Sequence, residues 1–398
     1  MSWSGRHVVL GVSGGIASYK SCYLARRLTE AGARVDVVLT QGAAEFVGPV
    51  TFEALTDRPV VTSLWDRGEA LAHVRLGTAA DLILVAPATA HLIARAAHGL
   101  ADDFLTTLLL AGGAPTLFAP AMNDEMFAHP ATQANVDLLR LRGCRFVGPE
   151  AGALAEGPSS RPGRMSEPET IMAHAARLLA KAGPLKGKRV LITAGPTREA
   201  LDPVRVISNR SSGRMGYRLA EAAWERGAEV TLISGPVEIA VPAGVEVIRV
   251  ESTADLESAV SSALPAADVF IMAAAPADYR PAEPSKTKRA RSDGPQVIQL
   301  EATRDILDST TSLRKPGAVT VGFALETGNA VARGQAKLEK KKLDMIVVND
   351  ALEPGAGFEV DTNRVTLISR GETPRDLPLQ SKRAVADAIL DAIETRLV

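Results

Sequence analysis

The sequence predicts two α/β domains in tandem, each a doubly wound parallel sheet. Three observations lead there. The chain has 398 residues, and at about 100–200 residues per domain that is more than one domain ordinarily holds. An apolar run, a Gly-bearing loop, an amphipathic stretch and a second apolar run follow one another near residue 7 and again near residue 188. That order is strand, loop, helix, strand, a βαβ unit with a right-handed crossover. Letters also repeat between the halves: residues 30–35 (EAGARV) echo 225–230 (ERGAEV), and 80–88 echo 267–275. Shared parallel-sheet grammar explains the echoes more simply than duplication.

In the first half the run His7–Val12 reads as a strand, followed by Ser13, Gly14, Gly15, Ile16 and Ala17. Residues 18–31 then place Leu24, Leu28 and Ala31 at helical spacing, and Gly32 stops the helix. Arg34–Leu39 is the next strand. In the second half residues 188–193 are a strand, 194–197 a loop, 213–226 a helix ended by Gly227, and 229–234 a strand. The boundary is read in the short Gly/Pro-bearing stretch 181–187, giving domains 1–182 and 188–398.

Composition excludes several classes. Hydrophobic residues are 46% and charged residues 23%, the balance of a soluble globular protein. Forty-five Lys and Arg against 46 Asp and Glu give −1, which excludes a globally basic nucleic-acid binder. Two cysteines, Cys22 and Cys144, exclude a disulfide framework and a Cys-rich metal site, and fit a reducing cytoplasm. The apolar stretch 82–100 carries His91, Arg95 and His98 and cannot span a membrane. No cleavage pattern follows the apolar run at the N-terminus.

Ligands in doubly wound sheets bind at the carboxyl ends of strands. Small residues at Ser13, Gly14 and Gly15 let backbone N–H groups and a helix N-terminus hold a phosphate, although a tight turn without ligand is the commoner use of a Gly pair. The spacing is not G-x-G-x-x-G, and the second strand ends in Leu39-Thr40-Gln41 rather than in an acidic residue. Both details argue against a dinucleotide and for a mononucleotide, with Thr40 a candidate hydroxyl. Further strand-end segments are Pro87-Ala88-Thr89-Ala90 and Pro120-Ala121-Met122-Asn123, where Asn123 either caps a helix or contacts substrate. His73 precedes the third strand.

These residues carry a resemblance. The chain resembles the bifunctional coenzyme A biosynthesis flavoproteins, phosphopantothenoylcysteine decarboxylase joined to phosphopantothenate–cysteine ligase, over nearly its whole length. Residues 13–20 (SGGIASYK) resemble the FMN phosphate loop, 87–90 the segment around the flavin, and His73 with 120–123 the catalytic His and the substrate motif. In the second half, 192–199, 201–205, 208–216, 277–280, 322–324, Glu326-Thr327 and Asn349-Asp350 resemble the ligase motifs.

The resemblance implies an N-terminal flavodoxin-like flavoprotein domain and a C-terminal nucleotide-binding ligase domain. It implies that FMN oxidises the substrate cysteine to a thioaldehyde, that CO₂ is then lost, and that the enethiol formed is reduced to phosphopantetheine. His73 would act as base or orienting group, Asn123 would hold the departing carboxylate, and Met122 and Arg164 would contact the phosphopantothenoyl group. In the ligase reaction phosphopantothenate attacks the α-phosphate of CTP, and cysteine captures the acyl-cytidylate. Lys286, Lys337 and Lys341 would meet the developing charge, with Lys337 and Lys341 four apart on one helix face. Lys286 lies in a Pro-rich loop, residues 281–288, that reads as a mobile flap. Met272, Ala273, Ala274, Asp278, Arg304, Asp305, Ile306, Leu307 and Phe323 would line the CTP site. Asn209 would contact the acyl intermediate, and Mg²⁺ would accompany the triphosphate with ligands unknown. The family further implies flavin-domain trimers and ligase-domain dimers closing into a dodecamer.

Departures from the family are informative. Its flap carries a proton-donating Cys before a Gly-rich run ending Gly-Arg-Met. Here 152–165 (GALAEGPSSRPGRM) holds no Cys, runs one residue longer, and has Glu156 in the Cys position. An enclosed carboxylic acid can serve as donor. In the ligase half Pro276, Thr303, Arg304 and Leu325 replace the usual Val, Asn, Pro and Ala, and Arg304 adds a charge beside the expected cytidine pocket. A ligase on a degenerate flavoprotein scaffold, a non-catalytic flavoprotein regulator and an ordinary Rossmann oxidoreductase are the alternatives.

Overall fold

The computed structural model describes residues 3–65, 71–180, 183–288, 297–326, 329–350 and 360–397. Thr327 and the side chain of Asp350, both in motifs above, lie outside them. The chain divides into two compact units, Met1–Ala180 and Lys181–Val398.

The first unit holds strands β1 (His7–Val12), β2 (Arg34–Leu39), β3 (Leu82–Ala88), β4 (Thr116–Pro120) and β5 (Arg145–Phe146), ordered β2-β1-β3-β4-β5. Every pairing is parallel. This is the flavodoxin-like order, whose ligand crevice lies where the strand order reverses, between β1 and β3. Successive residues serve opposite cores, as the two-residue period of a strand requires. Val8, Leu10, Leu82 and Leu84 join one apolar cluster, Val9, Ile83 and Val85 the other. Both faces are therefore covered, which is why these strands read as continuous apolar runs.

The helix Ser18–Glu30 buries Leu24, Ala25 and Leu28. Each buried Leu stabilises that docking by about 1.5–3 kcal/mol, so Leu28→Asp would undock the helix. Gly32, at φ +92°, ends it in the left-handed conformation that glycine adopts without penalty. After β5 a hairpin forms from β6 (Glu150–Leu154) and β7 (Gly157–Arg164).

In the second unit, β8 (Arg189–Ala194) leads to a small pair, β9 (Arg198–Ala200) and β10 (Val206–Ser208). β11 (Glu229–Ser234), β12 (Glu246–Arg249) and β13 (Val269–Met272) follow, then a second small pair, β14 (Tyr279–Pro281) and β15 (Leu300–Ala302). β16 (Val319–Glu326), β17 (Met345–Asp350), β18 (Thr362–Ser369) and β19 (Arg375–Ser381) complete the set. The main sheet has eight strands in the order β12-β11-β8-β13-β16-β17-β18-β19. Its first six carry the Rossmann order, and β18 and β19 add an antiparallel edge. The second unit is thus doubly wound as well, with a mixed rather than purely parallel sheet.

Three boundaries differ from the sequence reading. The helix expected over 213–226 spans Arg214–Glu225, because Gly213 turns left-handed at φ +74°. β13 stops at Met272, although the echo runs to Ala275, because the next amides leave the sheet for the β8 loop. The helix Ala330–Lys340 ends before Lys341, which is its C-cap, and Lys342 lies at φ +50°. The Lys341 amide still donates to the Lys337 carbonyl at 2.9 Å, so the chain leaves the helix only at Lys342.

Candidate functional site

The loop after β1 is built for close approach. A Cβ on Gly14 would fall 2.6 Å from the carbonyl carbon of Gly42, so only glycine lets the two loops touch. Ser13 is buried; its hydroxyl donates to the Pro87 carbonyl at 2.8 Å and accepts from the Thr89 amide at 3.0 Å. That locks the Gly loop to the end of β3 and occupies Ser13 structurally. The helix Ser18–Glu30 begins at Ala17 with no side-chain cap. The Ser18 amide donates to the Gly15 carbonyl at 3.0 Å and the Lys20 amide to that of Ala17 at 2.9 Å, and the helix dipole favours an anion at this end.

These residues border a cavity of about 1230 Å³. Ser13, Gly14, Gly15, Ile16, Ala17, Thr40, Thr89 and Ala90 line one side, and Met122, Asn123, Glu156 and Arg164 also reach it. Thr40 and Thr89 each cap a helix, accepting from the amides of Ala43 and Leu92. Pro87 and Ala88 stand behind the wall as backbone support. A Gly cradle, an uncapped helix start and hydroxyls at two strand ends fit a phosphate-bearing flavin mononucleotide.

Asn123 takes the capping role and also lines the cavity. Its Oδ1 accepts from the Glu125 amide at 2.9 Å, capping the helix Asp124–Ala128, while the residue lines the cavity. The amide nitrogen remains to donate. The β6–β7 hairpin lies over this segment. The Met122 amide donates to the Gly163 carbonyl at 3.0 Å, and Ser159 donates to Asp124. The bond from Ser159 and those from nearby amides hold the Asp124 carboxyl below its ordinary pKa. The pairing shifts from Gly152↔Ser159 to Glu150↔Arg164, two residues along β6 against five along β7. The three extra residues of β7 form a bulge. Glu156 sits in the exposed turn of the hairpin. Arg164 is held by Glu150 at 3.3 Å and Glu167 at 3.1 Å.

Two findings run against expectation. Among the described residues that line the cavity, His73 is absent. It sits on the helix Ala72–Ala79, edge-on to Phe104 at 6.3 Å. That helix is pressed against the helix Phe104–Ala111, since a Cβ on Gly77 would lie 3.0 Å from the backbone of its C-cap, Gly112. Lys20, quoted in the loop motif without a role, is buried, donating to the Met165 carbonyl at 3.0 Å and to Glu167 at 2.8 Å. A lysine inside an apolar helical face was its only signal in the sequence.

In the second unit the loops after β8 and β13 interlock. The Ala274 amide donates to Thr193 Oγ1 at 3.1 Å, the Ala275 amide to the Gly195 carbonyl at 2.9 Å, and the Ala277 amide to Thr197 Oγ1 at 2.9 Å. Asn209 Nδ2 bridges the carbonyls of Ala275 at 3.2 Å and Pro276 at 2.9 Å. Thr303 adds the next layer. Its amide meets the Asp278 carbonyl at 2.9 Å, and its hydroxyl meets the Ala277 carbonyl at 2.6 Å. Met272, Ala273, Ala274, Asp278, Thr303, Asp305, Ile306 and Leu307 thus gather at the carboxyl end of β13, while Phe323 and Leu325 share one face of β16.

The cations divide. Lys286 is exposed, beyond a bond from the Ser285 amide to the Leu201 carbonyl at 3.0 Å that ties its loop down. Among the described residues Lys286 has no ion-pair partner. Lys337 instead pairs with buried Glu326 at 2.5 Å, and with Arg333 it holds that carboxyl below its ordinary pKa. Lys341 pairs with Asp305 at 2.6 Å and Asp308 at 2.5 Å. Arg304 does not put its charge on the loop face but is 80% exposed, reaching Glu257 at 3.7 Å.

The first unit has a flavodoxin-ordered sheet with a Gly-lined cavity at its strand ends, and the second a Rossmann-ordered sheet with interlocked strand-end loops, the architecture of a flavoprotein and of a doubly wound α/β enzyme. Comparisons agree. Residues 2–180 match the Flavoprotein family and 185–397 match the DNA/pantothenate metabolism flavoprotein C-terminal domain. The coenzyme A biosynthesis bifunctional protein CoaBC of Vibrio cholerae is 46% identical over 100% of both chains. Its Bacillus subtilis counterpart is 46% identical over 98% of this chain and 96% of that one. A solved C-terminal domain of a CoaBC protein is 41% identical over 54% of this chain and 98% of that one, with a TM-score of 0.47. The chain belongs to the bifunctional coenzyme A biosynthesis family, enzymes that join a ligase activity to a decarboxylase activity.

Proposed function

We propose that the first unit is an FMN-dependent phosphopantothenoylcysteine decarboxylase and the second a CTP-dependent phosphopantothenate–cysteine ligase. The observation that supports this most is the single cavity on which the Gly14 cradle, the uncapped helix, Asn123 and Arg164 meet.

In the ligase step the phosphopantothenate carboxylate attacks the α-phosphorus of CTP and pyrophosphate leaves. The cysteine amine then displaces CMP from the acyl-cytidylate. Lys286 and Lys337 supply positive charge to the phosphoryl oxygens. Asn209, already polarised on two carbonyls, presents its side chain to the acyl group. Among the described residues no group of three or more His, Cys, Asp or Glu is arranged to hold a metal. The triphosphate itself would then be the main ligand of Mg²⁺.

In the decarboxylase step bound FMN supplies a two-electron acceptor and later a donor. Asn123 Nδ2 holds the carboxylate that leaves as CO₂, and the hairpin through Arg164 closes over the pantothenoyl chain. Glu156, on the hairpin turn, is the candidate donor of the final proton. His73 would reach the flavin from a neighbouring copy, in keeping with its distance from its own cavity and with exposed Ile16, Tyr19 and Tyr23 near the cavity mouth. A homo-oligomer would bring such a copy into reach. Two free cysteines suit a cytoplasmic setting, and among the described residues no helix is long and apolar enough to cross a membrane.

Incubation with phosphopantothenate, cysteine and CTP tests the reading by mass spectrometry. The expected products are phosphopantetheine, CO₂, CMP and pyrophosphate. Arrest at phosphopantothenoylcysteine would leave a ligase alone, and no CTP-dependent product would overturn both assignments.

A further inference from the structure

Two segments expected to touch the nucleotide come from distant parts of the chain, residues 303–307, which run into the short helix Ile306–Ser309, and the helix Ala330–Lys340 that carries Lys337. One half-buried side chain joins them. Arg314 Nη2 donates to the Leu307 carbonyl at 2.7 Å. Its Nη1 donates to the carbonyls of Lys341 at 3.1 Å and Lys342 at 2.9 Å, the C-cap residue and the one after it, just past the end of the helix. A helix end leaves its last carbonyls without partners, and a planar guanidinium can take several at fixed angles. Lys341 repeats the tie from the other side through Asp305 and Asp308, and only 13% of its side chain is exposed. Ile306 is buried against the β13 core, and Leu307 lies beside Gly322, next to Phe323.

We propose that Arg314 is a positioning residue of the nucleotide site, clamping the segment 303–307 to the end of the helix that bears Lys337, and that Lys341 adds a second tie to this clamp. The inference rests on the ligase reading of the second unit. Arg314 contacts no nucleotide itself. It sets the distance between the cytidine-side loop and the phosphate-side cation, so its loss spreads the two halves of one binding site. Lysine keeps the charge but cannot bond both segments in the guanidinium geometry.

The test is steady-state pyrophosphate release by the full-length protein carrying Arg314→Lys, with Arg314→Met beside it. Loss of charge-assisted hydrogen bonds predicts a KM for CTP raised about tenfold or more in Arg314→Lys. The KM for phosphopantothenate, the melting temperature and CO₂ release from supplied phosphopantothenoylcysteine should stay near wild type. A wild-type KM for CTP in a folded Arg314→Lys protein overturns the clamp. So does a fall in kcat alone, which a merely structural role would give through fewer active molecules. If Arg314→Met fails to fold, Arg314→Lys carries the decision. If wild type itself releases no pyrophosphate with CTP, the ligase reading falls and the clamp falls with it. A wild-type enzyme that works beside an unaffected variant removes the clamp alone.

Discussion

A Cβ at Gly14 would lie 2.6 Å from the carbonyl carbon of Gly42, whereas one at Gly15 would lie 3.6 Å from Thr89 Cγ2. The two neighbouring glycines therefore differ in what they tolerate. Gly14→Ala forces the loops apart, and overpacking of this kind costs about 1–3 kcal/mol. We expect it to purify with at least severalfold less flavin per chain, read from the visible absorbance. Gly15→Ala should keep its flavin. Equal retention in both would mean that the Gly14–Gly42 contact does not shape the cradle.

Asn123 is both a helix cap and a cavity residue, and substitution can separate the two. Serine caps almost as well as asparagine, whereas alanine loses about 0.5–2 kcal/mol. Asn123→Ser is expected to melt near wild type yet lose CO₂ release by about tenfold to a hundredfold, the scale of a lost hydrogen bond to a charged group. Normal decarboxylation by Asn123→Ser would reduce Asn123 to its cap.

Glu156 stands at the exposed hairpin turn and lines the cavity. If it donates the last proton, Glu156→Gln should still release CO₂ but accumulate the enethiol, seen by mass spectrometry. Unchanged conversion to phosphopantetheine excludes it as donor.

Asp36 gives a pH signature. Burial raises its pKa, but hydrogen bonds from His7 at 2.5 Å and Arg58 at 2.6 Å outweigh burial, and the carboxyl titrates below its ordinary value. A carboxyl lowered in the folded state adds stability above its unfolded pKa, about 3.9. That stability drains away as pH falls from about 4 through the lower folded value. Asp36→Asn should therefore cost about 1–3 kcal/mol near pH 6 and progressively less as pH falls below about 4, followed by flavin release on unfolding. A cost that does not change with pH would show that ionisation of Asp36 is irrelevant.

Lys286 and Lys337 differ in what holds them. Lys337 is tethered to Glu326, and Lys286 has no ion-pair partner among the described residues. Removing either should lower pyrophosphate release, by about tenfold or more for loss of a transition-state charge contact. Only Lys337→Ala should also lower the melting temperature, because it takes from buried Glu326 the nearer of its two cations and leaves Arg333 alone at 3.4 Å. Wild-type turnover in Lys286→Ala would remove it from the ligase machinery.

Much of this was legible in the letters. The doubly wound class followed from buried parallel strands, whose apolar runs are continuous because both faces are covered. The helix ends at Gly32 and Gly227 were readable because left-handed backbone selects glycine. The Gly14 loop, Asn123 and Arg164 were named from local motifs, and each lines the cavity. What stayed hidden needed distance across the chain. Gly42 gives no sign in sequence that it abuts Gly14. Lys341 and Arg304 looked like solvated cations beside a nucleotide, yet their partners are carboxylates many positions away. His73 carries a motif but packs on Phe104, away from the cavity. Local chemistry, from caps to strand runs and Gly turns, is set by short-range sterics and hydrogen bonding and can be read in the sequence. Which charge meets which carbonyl or carboxylate is set by how strands stack across a sheet, and only the tertiary structure decided that Arg314 ties two nucleotide-side segments together.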